Sequence, residues 1–187
     1  SHLTDQLLAY AEGGKYQPQE FSVNDLLQDL TGIKNAPQGT GIKIKVLLDQ
    51  AAPTISGDIT QIKMVLEAVL SNALEALNRT EGSVTVATGR HNVTREGSAT
   101  NGMIEPGEYL LIRVEDDGSG MDQDTLNRIF EPFFTTKIHG RGLGMAAAFG
   151  IVRNHDGLIT VASEPAKGTK VSIYLPASRS RQQAEYA

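Results

Sequence analysis

The 187-residue chain contains no cysteine and no tryptophan. Without thiols it can form neither a disulfide nor a thiolate metal site, so nothing in it speaks for an oxidising compartment. Positive charge is also short: 17 Lys and Arg against 22 Asp and Glu leave a formal net charge of −5. Phosphate backbones are gripped by an excess of Lys and Arg, so no nucleic-acid partner is expected and any anion site must be local. No apolar run approaches the roughly 20 residues that span a bilayer, and no secretory signal is visible. A cytoplasmic location, without membrane contact by this stretch, is the default expectation. With 40% apolar residues, the chain is long enough for one well-packed domain and short for two.

What is there reads as mixed helix and strand. Leu3, Leu7, Leu8 and Ala11 recur at helical spacing before Gly13-Gly14, as the end of a helix that begins upstream. The opening Ser1-His2 reads as an appended remnant, which makes the chain a piece of something larger. Ser22 offers an N-cap for a short amphipathic helix with Leu26, Leu27 and Leu30 on one face. Ile42 to Leu48 alternates as a strand bounded by Pro53 and Gly57, and Asp58 caps a long helix from Ile59 to Leu77. Strands follow at Ser83–Gly89 and Tyr109–Glu115, joined by a polar loop. Asn92-Val93-Thr94, within that loop, matches a glycosylation sequon by chance. Asp122 caps a helix through Phe130, another begins near Leu143, and Leu158–Ser163 with Thr169–Leu175 closes the domain as a hairpin. This order, without regular βαβ repetition, predicts an α/β two-layer sandwich: a mixed sheet with helices on one face.

Three stretches carry chemistry. In Val114-Glu115-Asp116-Asp117-Gly118-Ser119-Gly120-Met121, three carboxylates meet two glycines at a strand end. A calcium loop fails because no acidic ligand follows at the EF-hand offset. Adjacent strand residues point to opposite faces, which disfavours a catalytic pair and leaves one inward carboxylate. In the helix around Val65, Leu66, Val69, Ala73 and Leu77, Asn72 lies on the border of the apolar stripe, with Glu75 about 60° away. An asparagine there is either an amide bonded at the core edge or an oxygen ligand for a hard cation such as magnesium. In Gly140-Arg141-Gly142-Leu143-Gly144, a glycine-rich turn opens into a helix, where free N–H groups and the helix dipole favour an anion. Its spacing is neither a dinucleotide fingerprint nor a P-loop.

Together, and in order, Asn72, Asp116-x-Gly118-x-Gly120 and Gly140-x-Gly142-x-Gly144 resemble the N, G1 and G2 boxes of sensor histidine kinases. Arg128-Ile129-Phe130-Glu131-Pro132-Phe133-Phe134-Thr135-Thr136-Lys137 resembles their F box. The resemblance runs from about Asp58 to Pro176. It implies the left-handed, Bergerat-type ATP-binding sandwich that these kinases share with DNA gyrase, mismatch-repair ATPases and the large ATP-driven chaperones. On that resemblance, residues 1–14 are the end of a dimerisation and phosphoacceptor helix, residues 15–178 the catalytic ATP-binding domain, and residues 179–187 a flexible tail.

The same resemblance implies the site. Asp116 accepts a hydrogen bond from the adenine amine, with Gly118 and Gly120 letting the backbone approach the base. Thr169 stands near the adenine, often acting through water. Asn72 is the magnesium ligand, supported by Glu75. Lys137 and Arg141 neutralise the phosphates over Gly140, Gly142, Leu143 and Gly144, while Phe133 and Phe134 anchor a lid. The implied cofactors are ATP and Mg2+; the implied partners are the chain's own dimerisation domain and a response-regulator receiver domain, with this piece monomeric and the parent a homodimer. Two departures from the family pattern matter, Ala68 where many relatives have a polar or acidic residue and Asp156 where a double glycine is usual; Asp117, where asparagine is common in the family, reads as a turn residue. Glu67, about 140° from Asn72, does not make up for Ala68; Asp156 changes a helix cap. None of His2, His91, His139 or His155 lies in an acceptor-like helical context. The rival readings are a nucleotide-binding regulatory module without phosphotransfer, and a stand-alone ATPase, which lacks its water-activating acid here.

Overall fold

The computed structural model describes residues 16–33, 41–77, 81–94, 104–136 and 142–178. Five strands form one mixed sheet: β2 (Gly41–Leu47), β4 (Glu81–Val93), β5 (Gly107–Asp116), β6 (Leu158–Glu164) and β7 (Gly168–Pro176), in the order β2-β4-β5-β7-β6. Only β2 and β4 run parallel; every other pairing is antiparallel. Among the described residues four helices accompany it: α1 (Val23–Ile33), α2 (Ile59–Ala76), α3 (Gln123–Arg128) and α4 (Gly144–Asn154). The helical apolar stripe of α2 and the alternate residues of the strands bury one another. Leu66, Val65, Val69 and Ile62 from α2 share a core with Val84, Val86, Ile112, Val114 and Ile173 from the sheet, and Ile151 and Val152 of α4 join it. The expected two-layer α/β sandwich is the observed one.

Asp58 caps α2 as its position suggested: its carboxylate accepts from the N–H groups of Thr60 at 3.0 Å and Gln61 at 3.2 Å. Asp122 does the same for α3 through Thr125 N–H at 2.8 Å. That helix ends at Arg128, two residues short of the expected Phe130. The chain turns instead at Ile129 and Phe130, with Glu131 N–H donating to Arg128 O at 2.8 Å, ahead of Pro132, which disfavours helical backbone at Glu131. At the end of α4, Asp156 takes the left-handed conformation (φ 56°). Gly157 N–H donates to Val152 O at 2.9 Å and Asp156 N–H to Arg153 O at 3.0 Å, a Schellman closure in which aspartate stands where glycine is the easier residue. Asp156 thus lies in the helix cap, where its effect was expected.

Two further expectations are corrected. Two short strands were not expected, β1 (Gln19–Phe21) and β3 (Ile55–Gly57), which pair antiparallel beside the main sheet; three-residue runs carry no readable period. The β4–β5 ribbon extends further than the apolar runs suggested, with His91, Asn92 and Val93 paired opposite Tyr109, Glu108 and Gly107. Backbone pairing here outlasts the hydrophobic pattern, so the sequon lies at a strand end with Val93 buried. The readings placed on residues 1–15, 95–103 and 179–187 lie outside the described residues. No helix among the described residues is long and apolar enough to cross a membrane.

Candidate functional site

The three consecutive carboxylates at the end of β5 have three different fates. Glu115 points away from the helices, half-exposed, with Arg113 at 3.7 Å. Asp117 reaches back to β4, accepting from Ser83 N–H and from Ser83 Oγ, both at 2.7 Å. Those bonds hold its carboxyl below the usual carboxylate range. Asp116 faces the helix side, and burial pushes its carboxyl up; N–H groups of Gly118 and Thr169 offset part of that, and the neighbouring Asp117 charge adds to it. Gly118 N–H is 2.9 Å from Asp116 Oδ1. Asp116 is therefore a desolvated acceptor with lone pairs left over, the state that an incoming N–H donor relieves.

The glycines around it have a structural reason that the sequence did not give. A Cβ on Gly118 would stand 2.6 Å from Ala76 O, at the end of α2. Gly120 is left-handed (φ 62°) and a Cβ there would overlap Glu164 O; Gly168 (φ 83°) is pressed equally hard against Asp116 O. These positions let two backbones meet inside the protein, whatever they also permit to a ligand. Ser119 N–H donates to Ala76 O at 3.1 Å, and Ala166 N–H donates to Ser119 O at 2.7 Å. The G1-like loop is thus wedged between the end of α2 and the β6–β7 turn.

That wedge brings Asn72 into range. Asn72 precedes Ala76 by four residues, so it lies about one turn back on the same face of α2. It is half-buried and Glu75 is exposed; Ser71 Oγ donates to Glu75 Oε1 at 3.0 Å. Ala68, one turn further back, is a buried methyl, 7% exposed.

On the other side, α4 begins at Gly144, and its N-cap residue Leu143 makes no side-chain capping bond. The first-turn N–H groups thus have no capping side chain to compete for them. Gly142 (φ 65°) sits against the Phe134 backbone, and Phe133 N–H donates to Gly142 O at 3.0 Å. The F-box-like turn and the glycine turn are clasped at their base. The two phenylalanines part company here. Phe134 is half-buried beneath the Arg128 guanidinium, 4.2 Å from its ring centre. Phe133 is left-handed (φ 67°) and 76% exposed, so its backbone, not its ring, anchors the turn. Lys137, Gly140 and Arg141 lie outside the described residues.

Thr169 pairs directly with Asp116 across β5–β7 and with Ser163 across β6–β7. Its hydroxyl lies 2.9 Å from Ser163 Oγ. Ser163 and the Ser83–Asp117 clasp escaped the sequence reading. The only signal for Ser163 was its hairpin register opposite Thr169, which needs the turn to be placed first. Among the described residues, no group of three or more His, Asp or Glu side chains gathers to hold a metal.

Known proteins resemble this chain in sequence and in fold. Residues 57–179 match the family model described as histidine kinase-, DNA gyrase B-, and HSP90-like ATPase. Sensor kinase CckA of Brucella abortus (strain 2308) is 31% identical over 176 residues, 93% of this chain and 18% of that protein. Sporulation kinase A of Bacillus subtilis (strain 168) is 34% identical over 168 residues, 86% of this chain and 25% of that protein. The chain thus spans about a fifth to a quarter of the length of these curated relatives. Among solved structures, the catalytic domain of histidine kinase ThkA superposes with a TM-score of 0.67 at 23% identity, covering 86% of this chain and 96% of that one. Full-length ShkA in complex with AMPPNP superposes with a TM-score of 0.73 at 21% identity, covering 96% of this chain and 36% of that one. At those identities the two structures bear on the fold alone.

Proposed function

The chain belongs to the histidine kinase-, DNA gyrase B- and HSP90-like ATPase family as a histidine kinase ATP-binding domain, and from that premise we propose how it works. It holds Mg·ATP between α2, the loop after β5 and the start of α4, and passes the γ-phosphoryl group to a histidine of an adjacent dimerisation domain. The P–O bond to the β-phosphate breaks, a P–N bond to the imidazole forms, and ADP leaves. The phosphohistidine is then the donor for an aspartate of a response-regulator receiver domain, on the cytoplasmic side. Asp116 carries this reading: a half-buried carboxylate on the helix side of the sheet, bonded by Gly118 N–H with lone pairs to spare, suits the adenine amine. Asn72 supplies the one protein oxygen to magnesium, with Glu75 acting through water. A cation that takes most of its ligands from water and phosphate would need little more from the protein than Asn72, and when bound it would neutralise charge on the transferring phosphoryl. Leu143, Gly144 and Gly142 offer N–H groups to the phosphates, and Lys137, Gly140 and Arg141 complete that end by sequence.

Ala68 argues against the stand-alone ATPase. An acid one turn before Asn72 would be placed to activate water, and a buried methyl activates nothing. The nucleotide-sensing module without transfer is separated from the kinase by phosphotransfer alone.

Asn72→Ala is expected to leave the fold intact and remove the magnesium-dependent part of ATP binding. Affinities with magnesium and with chelator converge in the variant and differ in the wild type; an unfolded variant would make Asn72 a structural amide.

The chain alone is expected to bind nucleotide yet form no phosphohistidine. His155 is buried, its Nδ1 2.8 Å from Ile151 O and its Nε2 accepting from Asp58 N–H at 3.1 Å. Neither ring nitrogen is open to a phosphoryl group. His91 sits on β4 with its ring edge against Tyr174 and its Nε2 buried. Positioning supplies most of the rate in phosphoryl transfer, and a presented acceptor is half of the positioned pair. Incubation with γ-labelled ATP, followed by acid- and base-stability analysis of the label, checks this. Robust acid-labile label on the chain alone would contradict it.

A further inference from the structure

Ser163 Oγ has three polar neighbours: Met121 N–H at 2.9 Å, Gly168 O at 3.0 Å and Thr169 Oγ1 at 2.9 Å. A hydroxyl has one proton and two lone pairs. Met121 N–H can only donate, and Gly168 O can only accept. The single Ser163 proton must therefore go to Gly168 O, because otherwise two acceptors would face each other at 3.0 Å. The remaining lone pair of Ser163 is then filled by Thr169, which becomes the donor of the bond between the two hydroxyls. Its proton is committed to Ser163, and only lone pairs are left on the other side of Thr169 Oγ1.

We infer that Ser163 is a positioning residue for base selectivity: it fixes the Thr169 hydroxyl as an acceptor beside the Asp116 carboxylate, so that this edge admits a 6-aminopurine and rejects a 6-oxopurine. The inference rests on the reading of Asp116 and Thr169 as the base site. The two are direct partners across β5–β7 and face the same side of the sheet. The Asp116 carboxylate accepts only, and Thr169 held by Ser163 accepts only. An exocyclic amine donates to such an edge, whereas the oxygen of a 6-oxopurine meets lone pairs. The rule holds through a bridging water as well. A water that gives one proton to Thr169 turns the other toward N1, which accepts in adenine and carries a hydrogen in hypoxanthine. The same Ser163 bond to Met121 N–H ties the loop that carries Gly118 and Gly120 to the β6–β7 hairpin, so base edge and loop are set by one hydroxyl.

The test is calorimetric titration of the wild-type chain, Ser163→Ala, Thr169→Val, the double variant and Asp116→Asn with ATP and with inosine triphosphate, alongside thermal unfolding of each. Ser163→Ala frees the Thr169 proton and is expected to reduce the ATP-to-inosine-triphosphate affinity ratio by about three- to tenfold, the range of one neutral hydrogen bond. Thr169→Val is expected to reduce the ratio as well, and adding Ser163→Ala to it is expected to change the ratio no further. Equal weakening of both nucleotides in Ser163→Ala, or a ratio that still changes when Thr169 is valine, overturns the inference and leaves Ser163 a structural clip. Should Ser163→Ala not fold, Thr169→Val decides alone, since it leaves the Met121 and Gly168 contacts in place; a wild-type ratio overturns the inference. The two levels separate in the same experiment. Loss of ATP affinity in Asp116→Asn with no change of ratio in the Ser163 and Thr169 variants sinks this inference and keeps the base site. Unchanged ATP affinity in Asp116→Asn, or no ATP binding by the wild type, sinks both.

Discussion

Asp116→Asn is expected to weaken ATP and ADP binding alike, by about 1.5–3 kcal/mol, or roughly 10- to 150-fold. The lost bond is to the base, which both nucleotides share, and not to the phosphates, in which they differ. An asparagine keeps the size and one acceptor oxygen but removes the charge that makes the bond strong. Titration with both nucleotides reads this out, and loss confined to ATP would place Asp116 at the phosphate end. The same substitution is expected to raise the melting temperature of the ligand-free chain at neutral pH. The sign follows from linkage. Burial raises the Asp116 carboxyl above its unfolded value, so the folded state holds the proton more tightly and the charged form costs stability at higher pH. That cost fades as pH falls through the folded-state value, and the gap in melting temperature between variant and wild type closes with it. Asp117 has the opposite sign. Its lowered carboxyl contributes stability above the unfolded value and loses it as pH falls through the folded one.

Gly120→Ala is expected to cost about 2–4 kcal/mol, a fall of about 5–12 °C in melting temperature. Two terms add. Gly120 has φ 62°, where an alanine carries a backbone penalty of roughly 1 kcal/mol. The new methyl would also overlap the Glu164 carbonyl, a backbone atom at the end of β6 that cannot swing aside. Relief requires the loop to lift off the β6–β7 turn, which breaks the Ala166 N–H bond to Ser119 O and the Met121 N–H bond to Ser163 Oγ. Nucleotide affinity falls with it, since Asp116 and Thr169 are held by the same joint. Gly150→Ala is the matched control. It lies within α4, and a Cβ there meets nothing within 4 Å, so alanine is expected to stabilise by about 0.5–1 kcal/mol. A Gly120→Ala chain that melts with the wild type would refute the joint.

The sandwich and its long helix were legible because their signals are periodic. The α2 stripe, the alternation in β2 and the caps Asp58 and Asp122 each state their role within a few residues. Alternation along the strand implied one inward carboxylate among the three acids, and it was the resemblance that picked out Asp116. Other features depend on contacts far apart in sequence. β1 and β3 are too short to show a period, and they exist because each supplies the other's hydrogen bonds. Gly118 and Gly120 read as room for a ligand until Ala76 and Glu164 were seen filling the space where a Cβ would be. Ser163 is an ordinary strand serine until Met121, Gly168 and Thr169 converge on it. Phe133 and Phe134 look interchangeable in sequence, yet the left-handed backbone at Phe133 sends one ring outward while Arg128 covers the other.

The most direct measurement is a crystal structure of this chain with magnesium and a non-hydrolysable ATP analogue. The account predicts the adenine amine within hydrogen-bonding distance of the Asp116 carboxylate, Thr169 Oγ1 on the same edge of the base, and the metal ion bound to Asn72 Oδ1 and the phosphates. A nucleotide with its base elsewhere, or a metal ion bridged to the phosphates without Asn72, would contradict it.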